Sequence, residues 1–237
     1  MGRAFEVRKA AMAKTSAAKT KVYSKFGKEI YIAAKSGEPN PDMNQSLRRI
    51  IDKAKSAQVP ADIIKRAIEK AKGNDDTQYN EVRYEGFGSG AATIIVECLT
   101  DNVNRTYADV RNAFNKSHGK LGVMGSVIHT FDHVGLLQVP YHDEEAALET
   151  LIEAEVDVID LEIVNDELSV SVAPSDLYKA KEALSALINQ DFTVFETTYI
   201  AQENITLEGD DLTHFNKLLG MLEALDDVSD VYHNVNL

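Results

Sequence analysis

The sequence has one cysteine, Cys98, among its 237 residues. A single thiol excludes an internal disulfide and any multi-cysteine zinc site, and it most simply fills a small apolar space in a core. No apolar run approaches the roughly 18 residues of a membrane span, so no membrane contact is expected. The N-terminus lacks an apolar stretch of roughly 7–15 residues behind a basic start, which predicts no secretory signal and a cytoplasmic protein. No G-x-x-x-x-G-K-[ST] phosphate loop occurs. Gly86-Phe87-Gly88-Ser89-Gly90 contains G-x-G-x-G, but a dinucleotide fingerprint needs that loop to open a helix. Ala91-Ala92-Thr93-Ile94-Ile95-Val96 follows and reads as strand, so a hairpin turn is expected. His129 and His133 straddle a strand end instead of sharing a helical face. Acid pairs such as Asp210-Asp211 and Asp226-Asp227 read as solvated helix ends, and no nucleophile–base–orienter set is recognisable. The expectation is no enzyme, no cofactor, no metal and no small-molecule substrate.

What is present is a charge segregation. The net charge of −13 argues against a polyanionic partner when taken alone. Residues 1–73 hold 17 Lys and Arg against 7 Asp and Glu; residues 74–237 hold 8 against 31. A basic head on an acidic trunk points to a polyanion at the head. The trunk repels the same polyanion, so it either faces away or contacts something else, such as a protein partner. At roughly 150 residues per domain, the length suggests one to three domains, and 44% hydrophobic residues suffice for their cores.

Helical periodicity runs from about residue 18 to Ser36 and stops at Gly37 and the breaker Glu38-Pro39-Asn40-Pro41. At about 100° per residue, Val22, Phe26, Ile30 and Ala33 share one side, and Lys21, Lys25, Lys28 and Lys35 share another. Ile32 falls among the lysines. A second helix fits 43–57, with Leu47, Ile50, Ile51, Ala54 and Ala57 inward and Arg48, Arg49, Lys53 and Lys55 outward. A third fits 60–72, with Pro60 in its first turn and Gly73 at its stop. Its stripe is Ile63, Ile64, Ala67, Ile68 and Ala71; Lys65, Arg66, Lys70 and Lys72 lie outside. These make an N-terminal three-helix bundle over 1–73 with a thin, alanine-rich core.

Strands then fit 81–87 and 92–100, a helix 104–117 with Tyr107, Val110, Ala113 and Phe114 inward, and a strand 126–131. From 134 to 200 the order is βαββαβ, the ferredoxin-like arrangement. Leu168, Val170 and Val172 alternate with Ser169 and Ser171, the period of a half-buried strand, and Asn165-Asp166 fits a tight turn. A strand at 202–207, a helix at 210–225 carrying Leu212, Phe215, Leu219 and Leu222, and a strand at 229–235 close the chain. That tail has no core of its own and is expected to complete the sheet begun by 81–131. The fold class expected is therefore multidomain, α plus α+β. The basic bundle (1–73) precedes a discontinuous α/β domain (74–132 and 201–237), with a ferredoxin-like domain (133–200) inserted in it.

The densest polar cluster is Thr100-Asp101-Asn102-Val103-Asn104-Arg105-Thr106, where a strand ends and a helix begins. A helix N-terminus offers free N–H donors to an anion, and Arg105 and Arg111 would add charge. Ordinary capping by Asn102 or Asn104 explains the same residues.

Leu99-Thr100-Asp101-Asn102-x-Asn104-Arg105-Thr106-x4-Arg111, then Gly119-x2-Gly122-x2-Gly125-Ser126-Val127, resembles the YebC/PmpR family of proposed transcriptional regulators. Arg8-Lys9-Ala10-Ala11, Lys25-Phe26, Ile50-x2-Lys53-Ala54-Lys55, Val59-Pro60-x3-Ile64-x2-Ala67-Ile68-x-Lys70 and Tyr84-Glu85-Gly86 match as well, so the resemblance spans essentially the whole chain. The opening departs from it: many members begin Gly-His-Ser-Lys-Trp, whereas this chain has Gly2-Arg3-Ala4-Phe5-Glu6, closer to a side branch. The resemblance implies a helical bundle followed by two α/β domains, one inserted in the other. It also implies a DNA-binding transcriptional regulator. The family's eukaryotic relatives include the mitochondrial translational activator of cytochrome c oxidase, which implies as the alternative a translation factor on ribosomal RNA. Both targets are phosphate polymers. The residues expected to meet them are Arg8, Lys9, Lys14, Lys19, Lys21, Lys25, Lys28, Arg48, Arg49, Lys53 and Lys55. Asn102, Asn104, Arg105 and Arg111 form the candidate anion or partner site.

Overall fold

A computed structural model describes residues 16–73 and 77–237, with side chains from residue 21 onward. Seven α-helices occur among them: α1 (Ser16–Lys35), α2 (Gln45–Ser56), α3 (Ala61–Lys72), α4 (Val103–Lys116), α5 (Glu144–Glu153), α6 (Leu177–Leu187) and α7 (Gly209–Glu223). The strands are β1 (Asn80–Phe87), β2 (Thr93–Thr100), β3 (Lys120–Leu121), β4 (Phe131–Val139), β5 (Val158–Val164), β6 (Glu167–Val172), β7 (Val194–Ala201), β8 (Ile205–Thr206), β9 (Val228–His233) and β10 (Val235–Asn236). The described residues divide into two compact units, one of 16–124 with 208–231 and one of 125–207 with 232–237. The chain is thus a mixed α/β protein built largely on antiparallel sheets.

In the first unit, α1–α3 bury the stripes their periodicity demands. Ile30, Ala33 and Ala34 meet Leu47, Ile51 and Ala54 of α2 and Ile64, Ala67 and Ala71 of α3. Asn44 sets the corner before α2. Its side chain accepts the Leu47 N–H (3.0 Å) as an N-cap and donates to the Ala33 carbonyl (2.8 Å). Ile32, which the wheel puts among the lysines, packs partly buried against the same core. The α/β part of this unit is a four-stranded sheet in the order β3-β1-β2-β9. The glycine-rich loop turns the chain from β1 into antiparallel β2. Val110, Ala113 and Phe114 of α4 and Phe215, Leu218 and Leu222 of α7 are buried. Gly86 admits Phe114: a Cβ there would lie 2.5 Å from Phe114 Cε1.

In the second unit, β4 to β7 form an antiparallel sheet in the order β5-β6-β4-β7, with connectivity βαββαβ. Leu137, Val139, Leu168 and Val170 pack with Ala147 and Leu151 of α5 and Ala180 and Leu184 of α6. Asn165 and Asp166 both take positive φ (51° and 64°), the backbone of a two-residue hairpin turn. β8 and β10 form a separate parallel pair.

Several elements differ from expectation. The strand expected at 126–131 is absent up to Thr130. The Thr130 N–H and hydroxyl both bond the Val127 carbonyl (2.9 and 2.8 Å), closing a 3-10 turn, and β4 begins only at Phe131. The strand expected at 202–207 shrinks to two residues, because the polar Gln202-Glu203-Asn204 offers no alternation to pair. Tyr107, expected inward, is 44% exposed and lies over Tyr84. Ser169 and Ser171 are buried, so β6 is covered on both faces.

Candidate nucleic-acid interface

Lys21, Lys25 and Lys28 follow one another at helical spacing on α1 and so form a row. Inside the first unit that row meets the end of α7 and the start of β9. Lys21 Nζ donates to the Glu223 carbonyl (2.9 Å), and Lys25 Nζ pairs with Asp230 Oδ2 (2.5 Å). Lys28 Nζ donates to the carbonyls of Leu99 and Asp226 (both 2.9 Å) and to Asp227 Oδ1 (3.0 Å). The three protons of the Lys28 ammonium therefore have three acceptors. This corrects the sequence reading: on this face the acidic trunk does not stay clear of the basic head. Glu29, next to the row, has its carboxyl pKa raised, by burial first and by Asp230 and Glu81 second, against the lowering pull of Lys25 and Lys53.

Asp227 is the hub of the second candidate site. Its Oδ2 accepts from Arg105 Nη2 (2.6 Å) and lies 2.9 and 3.1 Å from the hydroxyls of Thr106 and Thr100. Those hydroxyls are 2.8 Å apart, and each has one proton to share among these oxygens. Arg105 Nη2 also reaches Asp101 (2.8 Å). Asn102 is the N-cap of α4, accepting the Arg105 N–H (3.1 Å). The anion gathered at this helix N-terminus is thus the chain's own carboxylate. Burial alone would raise the Asp227 pKa, but hydrogen bonds from Arg105, Lys28 and Thr106 hold it at about 2. Burial and the nearby Asp227 charge push the Cys98 thiol up to about 12, as fits a core thiol. Asn104 is exposed in the first turn of α4. Arg111, also exposed, lies six residues beyond Arg105, about 240° around the helix, so the two do not share a face.

Arg8, Lys9 and Lys14 lie outside the described residues, as does the side chain of Lys19. Arg48, Arg49, Lys53 and Lys55 are exposed on α2. Arg48 folds back on the preceding loop through the Pro41 and Asp42 carbonyls (3.1 and 3.0 Å). Lys65, Arg66, Lys70 and Lys72 are exposed on α3. They stand outside the sequence-derived site set, although their outward positions on the wheel were the available signal. Among the described residues, no group of three or more His, Cys, Asp or Glu could hold a metal ion, and no helix is long and apolar enough to cross a membrane.

Comparison with known proteins agrees over the whole chain. Residues 3–74 match the TACO1/YebC protein N-terminal domain, and residues 79–235 match the TACO1/YebC second and third domain. A protein of Pseudoalteromonas translucida named "Probable transcriptional regulatory protein" is 51% identical over 236 residues, covering 99% of this chain and 98% of that one. A protein of the same name from Chromohalobacter salexigens is 50% identical, covering 100% and 99%. One from Vibrio cholerae is 49% identical, covering 100% of both. The crystal structure of a conserved hypothetical protein from Aquifex aeolicus superposes with a TM-score of 0.76 at 35% identity, covering 94% of this chain and 92% of the other.

Proposed function

The chain belongs to the TACO1/YebC family, and from that premise we propose that it is a nucleic-acid-binding regulatory protein. It acts in the cytoplasm as a DNA-binding transcriptional regulator through its N-terminal helical part. The fold is read as three modules: the bundle of 1–73, an α/β domain of 74–132 with 201–237, and the ferredoxin-like 133–200 inserted in it. The acidic α/β modules serve as faces for protein partners.

The observation that carries this reading is the outer surface of α2 and α3. Residues 45–72 hold eight Lys and Arg against three Asp and Glu, and all eight cations are exposed. With the α1 row engaged by the chain's own oxygens, these helices are where phosphates meet positive charge. If about six phosphates are neutralised, log affinity for B-DNA falls against log salt with a slope of about −5.

A second reading, a translation factor on ribosomal RNA, is favoured by the make-up of that surface. Five of its eight cations are lysines, and Arg48 is folded onto a loop, so few side chains suit the bidentate reading of base edges. Backbone contact by lysine serves structured RNA as well as duplex DNA. The test is crosslinking in cells followed by sequencing of the bound nucleic acid. Reads concentrated on promoters support the regulator, reads on ribosomal RNA support the translation factor, and an absence of enriched nucleic acid overturns both.

A further inference from the structure

A groove of about 500 Å³ opens between α1 and α3 of the bundle. Its walls bring together Tyr23, Tyr31 and Tyr79 with the cations Arg66 and Lys70. The space exists because small residues face it. Gly27 on α1 lies opposite Ile63, whose Cγ2 would be 3.8 Å from an added Cβ, and Ala67 on α3 adds only a methyl. The rings are held in place. Tyr79 meets Tyr31 edge to face, with centroids 5.6 Å apart and planes at 78°. The Tyr31 hydroxyl donates to the Thr77 carbonyl (3.2 Å), and Lys70 Nζ stands 5.1 Å from the Tyr31 centroid.

We propose that this groove receives an unpaired nucleobase of a single-stranded nucleic acid, with the flanking phosphates held by Arg66 and Lys70. The proposal rests on the nucleic-acid reading above and deepens it. The volume lies in the range of small-ligand sites, about 300–1,000 Å³, which accommodates a base and its sugar. Tyr23 and Tyr79, both half-buried, offer a stacking face to a base, with the buried Tyr31 packed against Tyr79, and cations at the rim complement a phosphate chain. A duplex cannot use the groove, because its bases present edges and keep their faces stacked. An apolar peptide side chain would use the tyrosines but would bring no phosphate to the two rim cations. Lys28 also borders the groove, but its charge is already matched by the Leu99, Asp226 and Asp227 oxygens.

The test uses the full chain and fluorescence anisotropy with labelled 12-nucleotide strands of RNA and of DNA. Each is compared with an abasic strand of the same phosphate count and with a duplex. The wild-type chain is expected to bind the normal strands about tenfold or more tighter than the abasic strand. Gly27→Leu fills the groove from α1 and replaces glycine by a better helix former, so the fold is retained. It is expected to abolish the preference over the abasic strand and to leave duplex binding unchanged. Equal binding of normal and abasic strands by the wild-type chain overturns the proposal while the charge-based reading stands. So does a preference that survives in Gly27→Leu, the result expected if a peptide is the true occupant. Binding of neither strand nor duplex overturns both.

Discussion

Lys28 Nζ lies 3.0 Å from Asp227 Oδ1, with both side chains largely buried at 15% and 13% exposure. The two residues stand 199 positions apart in the chain, and their contact fastens α1 to the sheet. The ammonium uses its other two protons on the Leu99 and Asp226 carbonyls. The carboxylate's second oxygen is shared by Arg105 and two threonine hydroxyls. A pair saturated in this way is a fastening, because all three ammonium protons already have acceptors within the chain.

Asp227→Asn should therefore be costly to the fold. The amide keeps the shape but removes the charge that offsets Lys28 and Arg105, and it presents a donor toward donors. Breaking a buried pair on one side costs about 3–5 kcal/mol. With Arg105 half exposed and able to turn to water, about 2–3 kcal/mol is expected here. Urea unfolding of the purified variant checks it, and a loss below about 0.5 kcal/mol would show that the contact is incidental.

The same carboxylate predicts an acid transition. Its pKa falls from 3.8 in the unfolded chain to about 2 in the fold, so the folded state favours the ionised form. The stability this contributes is fully present above about pH 4 and disappears as the pH falls toward 2. The amount is about 2 kcal/mol. Acid titrations of wild type and Asp227→Asn, followed by circular dichroism, should diverge above that window and converge within it. Parallel curves throughout would contradict the assignment.

Much of the fold was legible because local periodicity dictates it. Leu47, Ile51 and Ala54 recur at helical spacing and are buried; Leu168, Val170 and Val172 alternate and sit in a sheet core. Asn102 reads as a cap and is one. The pairing of the lysine row was not legible. Asp226-Asp227 looks like any solvated helix end, and a contact across about two hundred residues leaves no trace in local spacing. The one hint was Ile32, an apolar residue on the basic side of α1 that is partly buried in the structure. The groove was hidden for a related reason: Ala67 reads as part of a thin core, and only the packing of α1 on α3, which brings Gly27 and Ala67 to line one space, turns small size into a groove.

Gly86→Ala should destabilise the first unit through steric conflict alone. The new methyl would sit 2.5 and 2.7 Å from the Phe114 ring and 3.0 Å from the Lys120 carbonyl, between a helix and a strand. Overpacking of this kind costs about 1–3 kcal/mol. Thermal unfolding reads the loss, and Phe114→Leu in the same chain should recover part of it by withdrawing the ring edge. Failure of that second change to help would place the strain elsewhere.

Charge reversal separates fastening from binding. Changing Lys21, Lys25 and Lys28 to Glu sets two carboxylates against Asp230 and Asp227 and a third against the Glu223 carbonyl, so the variant should lose cooperative unfolding before any affinity can be measured. Changing Arg48, Lys55, Lys65 and Lys72 to Glu alters exposed positions on α2 and α3, where a substitution ordinarily moves stability within about 0.5 kcal/mol. That second variant should stay folded, bind duplex DNA and RNA at least tenfold more weakly at moderate salt, and show a shallower salt slope by up to about four. Anisotropy titrations at several salt concentrations, beside urea melts of both variants, read the two effects independently. A folded α1 triple variant with weakened binding would return the phosphate contact to the α1 lysines. An unaltered slope in the quadruple variant would remove it from α2 and α3.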